Sequence, residues 1–286
     1  MKKKTIVWLL LAMPFLPVLA QREYLPTPED LDRFHHTTTY VVMNDNPLSA
    51  YNFEIQDALK KFWTITDYEI ISHDDFAAKS SNTNASFLYV ATVNFEKDRS
   101  NTRYIFLCLS LGGDHQTIDD LKDIANIPLG YNGVPEEDYT YKLSTLLRFL
   151  QEHVKLITAH PDMVSQNVYE HYNENMESLK GKTLYVVKDE LGRDVNTEAK
   201  IKAIYPLPVK IVERDEIGEL ILAADPNTVF LHKVGPEGKG QNSRVYKILI
   251  GAAEAKFYYF DYHKASDKTP DAFLSSDFKK LAKANQ

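Results

Sequence analysis

The fold is decided by a seven-residue stretch that the sequence contains twice, as TYVVMND at residues 39–45 and as LYVVKDE at residues 184–190. In each copy a run of β-branched and aromatic residues, which is typical of a buried strand, ends in polar turn residues. The second copy lies 145 positions after the first. Because the pattern that follows each copy also recurs, the chain is predicted to contain two structurally related units.

The first unit continues with a helix, a second strand and a hairpin. Asn46 and Pro47 form a helix start signal. The next apolar residues have the spacing of one helical face: Ile55, Ala58, Leu59, Phe62 and Trp63. Residues 68–71 predict a short strand, and residues 87–95 and 103–111 predict an antiparallel hairpin.

The second unit repeats this order in a shorter form. Residues 209–212 predict a strand that runs into an acidic turn, which matches its counterpart at an offset of 141. Residues 228–234 and 244–250 predict the hairpin. Residues 256–262 predict an added strand without a counterpart in the first unit, and a last helix carries Phe278 and Leu281. The two units are therefore predicted to differ mainly in this added strand.

A helical section is predicted between the units. Residues 117–120 resemble a capping box with Asp in place of Glu, which predicts a short helix through Leu121 and Ile124. A turn-rich loop at 128–138 precedes a long amphipathic helix, and a second helix begins at Pro161. Two such adjacent helices are expected to pack between the units or across one sheet.

These patterns predict an α/β (α+β) fold of two related β-α-β-α-β-β modules with mixed sheets. An extended lead-in at 21–36 precedes the first module at 37–126. The amphipathic helical section takes residues 127–181, and the second module, with its C-terminal helix, takes residues 182–286.

The first twenty residues have the pattern of an export signal. Three lysines precede an apolar run that ends in a small residue at Ala20. Pro14 and Pro17 interrupt this run, which favours a cleaved signal over a signal anchor. We therefore expect a periplasmic or secreted protein that is cleaved near Ala20, without a transmembrane segment in the mature chain.

The charge of the mature chain excludes some classes of partner. Removal of residues 1–20 takes away three lysines and no acid, which leaves 30 basic against 40 acidic residues and a net charge of −10. A nucleic-acid partner needs a basic surface, and an anionic membrane surface attracts basic residues, so neither is expected. The single cysteine, Cys108, lies in an apolar run and is interpreted as a buried thiol.

The order of strands and helices resembles the small α/β module at the N-terminus of TolB and in CsgG-type envelope proteins. Helix residues 55–63, the segment 68–76 and the hairpin 87–111 carry this resemblance, and residues 201–250 would form the second copy. The chain has no propeller repeats and no lipidated cysteine or long pore strands, so pore and propeller functions are not implied. The resemblance implies a non-catalytic module that docks partners in the cell envelope.

Two groups of polar residues are candidates for catalysis or metal binding. His73, Asp74 and Asp75 follow a predicted strand, but the second unit has an arginine, Arg214, at the histidine's place, which would repel a metal. Asp114 and His115 follow Gly112 and Gly113 between a strand and a helix, a pattern that is also typical of an ordinary turn. The sequence therefore predicts no catalytic, cofactor or metal site, with an exported hydrolase at His73–Asp75 or Asp114–His115 as the alternative.

The segment FYYFDY at residues 257–262 is the best candidate for a partner surface. On a regular strand Tyr258 and Tyr262 share one face with Phe260, and this face is either exposed or covered by the last helix. Aromatic residues on an open sheet edge suit strand addition by a partner. The expected function is that of a non-catalytic binding or assembly module in the cell envelope, whose partner is another envelope protein or cell-surface component.

Overall fold

The computed structural model describes residues 25–95, 100, 102–115, 117–165, 168–236 and 242–286. The predicted export signal lies outside these residues. The described chain forms two five-stranded mixed sheets with helices on their faces, as the predicted α/β fold class requires. Among the described residues no helix has both the length and the apolar character that a membrane crossing needs.

The first module contains strands β1 (Thr38–Val42), β2 (Asp67–Ile71), β3 (Ala85–Asn94), β4 (Arg103–Leu111) and β5 (Lys122–Tyr131). Their order in the sheet is β2-β1-β3-β4-β5. β1 pairs in parallel with β2 and β3, while β4 is antiparallel to both of its neighbours. Helix α2 (Ala50–Phe62) connects β1 to β2 and buries Ile55 and Leu59, as the apolar spacing predicts.

The second module contains strands β6 (Thr183–Val187), β7 (Val209–Val212), β8 (Thr228–Val234), β9 (Arg244–Gly251) and β10 (Phe257–Lys264). Their order is β7-β6-β8-β9-β10, with β6 parallel to β7 and β8 and the other pairs antiparallel. Strand order and strand direction are therefore the same in both modules. The predicted structural repeat is confirmed.

The remaining helices connect and cover these sheets. Helix α1 spans Pro28–Phe34 and α3 spans His73–Lys79. Helices α4 (Glu137–Thr140), α5 (Leu143–Ala159) and α6 (Val168–Glu174) follow β5. The second module adds α7 (Glu198–Lys202), α8 (Arg214–Leu222) and α9 (Ser275–Ala284). Short 3-10 helices lie at Pro161–Ser165 and Asn175–Leu179, so the segment after Pro161 is divided into three short helices.

Strand β5 corrects the prediction for residues 117–138. The capping motif forms only one 3-10 turn, Ile118–Asp120, and the chain then enters a strand instead of a helix and a loop. Pro128 looked like a turn residue, but it lies on an edge strand beside a register shift, where a missing N–H group is tolerated. β5 is the counterpart of β10, so the strand in the second module is not an addition, and the first sheet extends past residue 126.

The lead-in was also predicted wrongly. Residues 28–34 form helix α1, and Thr27 and Asp30 cap its start reciprocally. Leu31 and Phe34 are buried in the first hydrophobic core. The Asp30 carboxylate also accepts a hydrogen bond of 2.6 Å from the Lys122 ammonium group. α1 is therefore part of the first module and not an extended arm.

The two modules contact each other through equivalent positions of their sheets. The two sheets can be aligned by placing Tyr185 of β6 on Tyr40 of β1 and following the residue pairing across the next two strands. In this alignment Phe106 is equivalent to Tyr246, and Tyr104 is equivalent to Arg244. The Phe106 and Tyr246 rings meet edge to face at 5.9 Å. The Tyr104 hydroxyl accepts a hydrogen bond from the backbone N–H of Arg244 and donates one to its carbonyl oxygen. The two modules therefore contact each other through equivalent positions, as the subunits do in the isologous interface of a two-fold dimer.

Two hydrophobic cores result from this arrangement. The larger one contains residues of both modules, with helices α1, α2 and α5 on the first sheet and Ile217 of α8 on the second. The smaller one lies on the other face of the second sheet, where Ile201 of α7 and Phe278 of α9 are fully buried.

Candidate functional site

The residues of the hydrolase alternative do not meet in one place. His73, Asp74 and Asp75 are exposed in the first turn of α3, where the Asp75 carboxylate and the Ser72 hydroxyl cap the helix. The loop that carries Asp114 and His115 contacts the other end of this helix, because Gly113 N–H donates to the Ser80 carbonyl oxygen. At 1.5 Å per residue, about 10 Å of helix separates the two groups. Among the described residues no three metal-ligating side chains form a metal site.

A β-bulge changes the faces of the aromatic strand. The register of β10 shifts between Phe257 and Tyr259. Tyr258 and Tyr259 therefore both enter the smaller core, whereas Phe257 and Phe260 enter the larger one. Tyr258 is only 3% exposed and donates a hydrogen bond to Glu254, so it is not part of a surface. Tyr262, at 47% exposure, is the residue of the predicted pair that a partner can reach.

The outer edge of β10 is covered, so the open edge that strand addition requires is not present there. The Asn173 side chain of α6 accepts a hydrogen bond of 2.7 Å from the Phe260 N–H and donates one of 2.9 Å to the Phe260 carbonyl oxygen. Asn175 donates to the Phe257 carbonyl oxygen at 2.8 Å, and the Tyr262 N–H donates to the Asp261 carboxylate. The backbone groups that strand addition would use are therefore occupied by side chains.

The described residues line a half-open apolar pocket of about 220 Å³ between the two sheets, which we call the aromatic chamber. β5 forms one wall, β10 the opposite wall, and α5 and α6 close the sides. The chamber exists because β5 and β10 are the edge strands of their sheets and are bridged by these helices. Its lining includes Ile124, Ile127, Phe149, Ile157, Met163, Val164, Val168, Tyr169, Tyr172, Ile248, Phe257 and Phe260.

Stacked rings form one side of the chamber. Phe149 of α5 and Phe257 of β10 are parallel within 2°, with ring centroids 3.4 Å apart. Tyr169 of α6 stacks on Phe260 with centroids 3.9 Å apart. Leu25, Asn126 and Tyr169 are exposed and mark the mouth. The two stacks hold the helices against β10 and give the chamber flat aromatic surfaces.

His153 is the polar group inside the chamber. Its Nδ1 atom lies 2.7 Å from the Tyr172 hydroxyl, and its ring also bonds the Ile124 backbone. Burial lowers the pKa of His153 to about 4, against the smaller opposite effect of the Ile124 hydrogen bond. The imidazole is therefore neutral at pH 7 and links α5 to both α6 and β5.

A hydrogen-bonded carboxyl group borders the chamber. Asp123 accepts hydrogen bonds from the Ser110 hydroxyl at 2.8 Å and from the Asn126 amide at 2.7 Å. Burial raises its pKa, and the two hydrogen bonds only partly offset this effect. Burial also raises the pKa of the nearby Cys108 thiol, so that this cysteine is an inert core residue, as predicted.

The chain matches no family model, no curated protein and no solved structure. The resemblance to TolB and CsgG-type modules stays a prediction.

The sequence did not reveal the chamber. The sequence pattern predicts a helix at Ile124 and a loop at Pro128, and it predicts only core positions on the helices after residue 138. The available signal was the aromatic composition of 257–260 together with an apolar helix that carries a histidine, His153, on its buried side. These two segments are about a hundred positions apart, so only the fold brings them together.

Proposed function

We propose that this chain is an exported, non-catalytic binding protein that holds one small apolar molecule in the aromatic chamber. The observation that supports this function is the chamber itself, because a concave apolar pocket with a few polar groups is the usual form of a small-molecule site. Apolar cavities of about 150 Å³ bind single-ring ligands. A chamber of about 220 Å³ with flat aromatic walls suits a ligand of two fused rings or a short acyl chain.

The export part of the proposal rests on the signal pattern of residues 1–20, which ends at Ala20. The non-catalytic part is supported by the chamber lining, where the polar groups already bond one another. His153 pairs with Tyr172, and Asp123 pairs with Ser110 and Asn126. These pairs join neighbouring elements of the chamber wall, and burial raises the pKa of the Tyr172 hydroxyl, so the hydrolase alternative gains no support from this site.

Binding is tested with the fluorescent apolar probe N-phenyl-1-naphthylamine. The natural chain should bind it saturably at a stoichiometry of one. Val168 is half-buried in the chamber wall, so Val168→Trp should fill the space and weaken binding by at least about tenfold. Val209→Trp, at a half-buried position of edge strand β7 outside the chamber, is the matched control and should bind as the natural chain does. Unchanged probe binding in folded Val168→Trp would exclude the chamber as the site.

A partner in the cell envelope is the second candidate function, and the exposed ring of Tyr262 favours it. Tyr262 packs beside Tyr246 at 5.9 Å, and the Arg244 guanidinium group lies over both Phe95 and Tyr262. Aromatic and arginine side chains are typical of interface hot spots. We propose that another envelope protein or cell-surface component contacts this surface.

The partner proposal is tested with a photo-crosslinking phenylalanine analogue at position 262. In cells it should give one discrete adduct, whereas the same analogue in place of Tyr68, a half-buried tyrosine on edge strand β2, should give none. Tyr262→Ser should also remove the partner in co-purification, without a change in melting temperature. Equal adducts at both positions would contradict a specific contact.

A further inference from the structure

A second, polar cavity lies between the two modules, and we call it the inter-module cleft. It measures about 540 Å³ and is lined from the first module by the end of β5 and by α4. From the second module it is lined by Asp189 and Glu190 after β6, by Arg214 after β7 and by Gly235 after β8. It therefore lies at the carboxyl ends of three neighbouring parallel strands, where ligands commonly bind in α/β sheets.

The cations at the cleft already have partners. Arg214 pairs with Asp138 and joins α8 to α4, and Lys233 pairs with Asp271 at 2.7 Å. Lys142 is buried behind the cleft, with its ammonium group 3.8 Å from the Glu190 carboxylate. The lining holds four carboxylates, the fourth being that of Asp189, against the two cations Arg214 and Lys233. An anionic ligand would therefore meet an excess of carboxylates and no free cation among the described residues.

Two carboxylate oxygens at the cleft are buried and have no donor. Within the described residues, Glu190 Oε2 and Asp271 Oδ2 accept no hydrogen bond. The Asp271 side chain is 2% exposed and that of Glu190 is 10% exposed. A buried acceptor without a donor destabilises the folded chain, and a charged acceptor does so more strongly than a neutral one. Both oxygens need donors that the other described residues do not supply.

The backbone holds these two acids on neighbouring segments. Phe273 N–H donates to the Glu190 carbonyl oxygen at 2.7 Å, and Gly192 N–H donates to the Phe273 carbonyl oxygen at 2.9 Å. Gly235 provides the space for the Asp271 carboxylate, because a Cβ atom there would lie 2.0 Å from Asp271 Oδ1. The strand end and the carboxylate thus approach each other only with glycine at this position.

We propose that the inter-module cleft binds the ammonium group of a primary amine, which donates hydrogen bonds to Glu190 Oε2 and Asp271 Oδ2. An ammonium group has three N–H donors and a positive charge. These complement two buried oxygens without donors, in a cleft where four carboxylates face the three cations Arg214, Lys233 and Lys142. This site is separate from the aromatic chamber and does not depend on the proposed apolar ligand. The chain then binds two ligands, an apolar one in the aromatic chamber and a cationic one in the inter-module cleft.

The experiment uses isothermal titration calorimetry with putrescine and with 1,4-butanediol, which has the same chain length but no charge. Putrescine should bind saturably, whereas butanediol should not. Glu190→Gln and Asp271→Asn should each weaken putrescine binding by at least about tenfold, because each replaces a carboxylate with an amide of the same shape. Asp45→Asn, at an exposed position of the first module, is the matched control and should leave binding unchanged.

The outcome also separates this site from the chamber. Val168→Trp should not change putrescine binding, and Glu190→Gln should not change binding of the naphthylamine probe. If Asp271→Asn fails to fold, as judged by circular dichroism, Glu190→Gln decides the test. The absence of saturable putrescine binding to the natural chain, or full binding by folded Glu190→Gln, would overturn the proposal.

Discussion

Two buried histidines make the stability of this protein sensitive to acid. His153 lies in the aromatic chamber, and His232 is fully buried between β8 and β5, where its Nε2–H donates to the Pro128 carbonyl oxygen at 2.7 Å. Burial and the nearby Lys142 charge lower the pKa of His232 to about 3, against the opposite effect of the Pro128 hydrogen bond. Both rings therefore stay neutral in the folded protein well below pH 6.5.

These shifts predict that the free energy of unfolding falls as the pH is lowered from about 6.5. Below that value the unfolded chain protonates both histidines while the folded chain does not, so acid favours unfolding until the folded pKa values near 4 and 3 are reached. Each histidine should cost about 2 kcal/mol between pH 6.5 and pH 5. Urea denaturation at a series of pH values measures this loss.

His153→Gln isolates one of the two histidines, because glutamine retains a hydrogen-bonding side chain without a titratable group. Its stability should fall about half as much as that of the natural chain over the same pH range. Asp123, whose pKa is raised, is present in both proteins, so its opposite contribution cancels in the comparison. Parallel pH profiles for the two proteins would show that His153 does not titrate as described.

Strand β10 shows how an exposed sheet edge is protected within a single chain. A bare edge presents unpaired backbone groups to other chains and favours association. Here Asn173 occupies the N–H and the carbonyl oxygen of Phe260 together, as a neighbouring strand would. Phe257 and Phe260, whose backbone groups make the edge contacts, are buried in the chamber wall, so the covering helix α6 also closes the chamber.

Asn173→Ala is predicted to open this edge. Loss of both hydrogen bonds leaves the Phe260 backbone groups without partners and should lower the free energy of unfolding by about 1–3 kcal/mol. It should also increase self-association at high protein concentration, measured by sedimentation velocity. Asn84→Ala, at an exposed position of the first module, is the matched control and should change neither the stability nor the self-association. Equal stability of Asn173→Ala and the natural chain would show that the edge is held by other contacts.

At the scale of the whole molecule, two modules of the same topology enclose two unlike cavities. The aromatic chamber forms between the edge strands β5 and β10, and the inter-module cleft forms at the carboxyl ends of β6, β7 and β8. Because the contact between Phe106 and Tyr246 joins equivalent positions, the modules meet as the subunits of a two-fold dimer would. Unlike two identical subunits, the two modules belong to one chain, and helices α4, α5 and α6 lie between them in the sequence. The two sides of the module pair therefore differ.

The sequence by itself determined the two modules, most of their strands and the docking face of α2. These features depend on local patterns, such as the repeated TYVV and LYVV runs and the helical spacing from Ile55 to Leu59, which specify strand and helix wherever the segment lies. Only the tertiary structure decided β5, the faces of β10 and both cavities. β5 contains Pro128 and is a strand because it lies at a sheet edge. Tyr258 enters the smaller core because a bulge turns it away from the face of Phe260 and onto the face of Tyr259. The cavities bring together residues about a hundred positions apart, so packing determines their chemistry and local pattern does not.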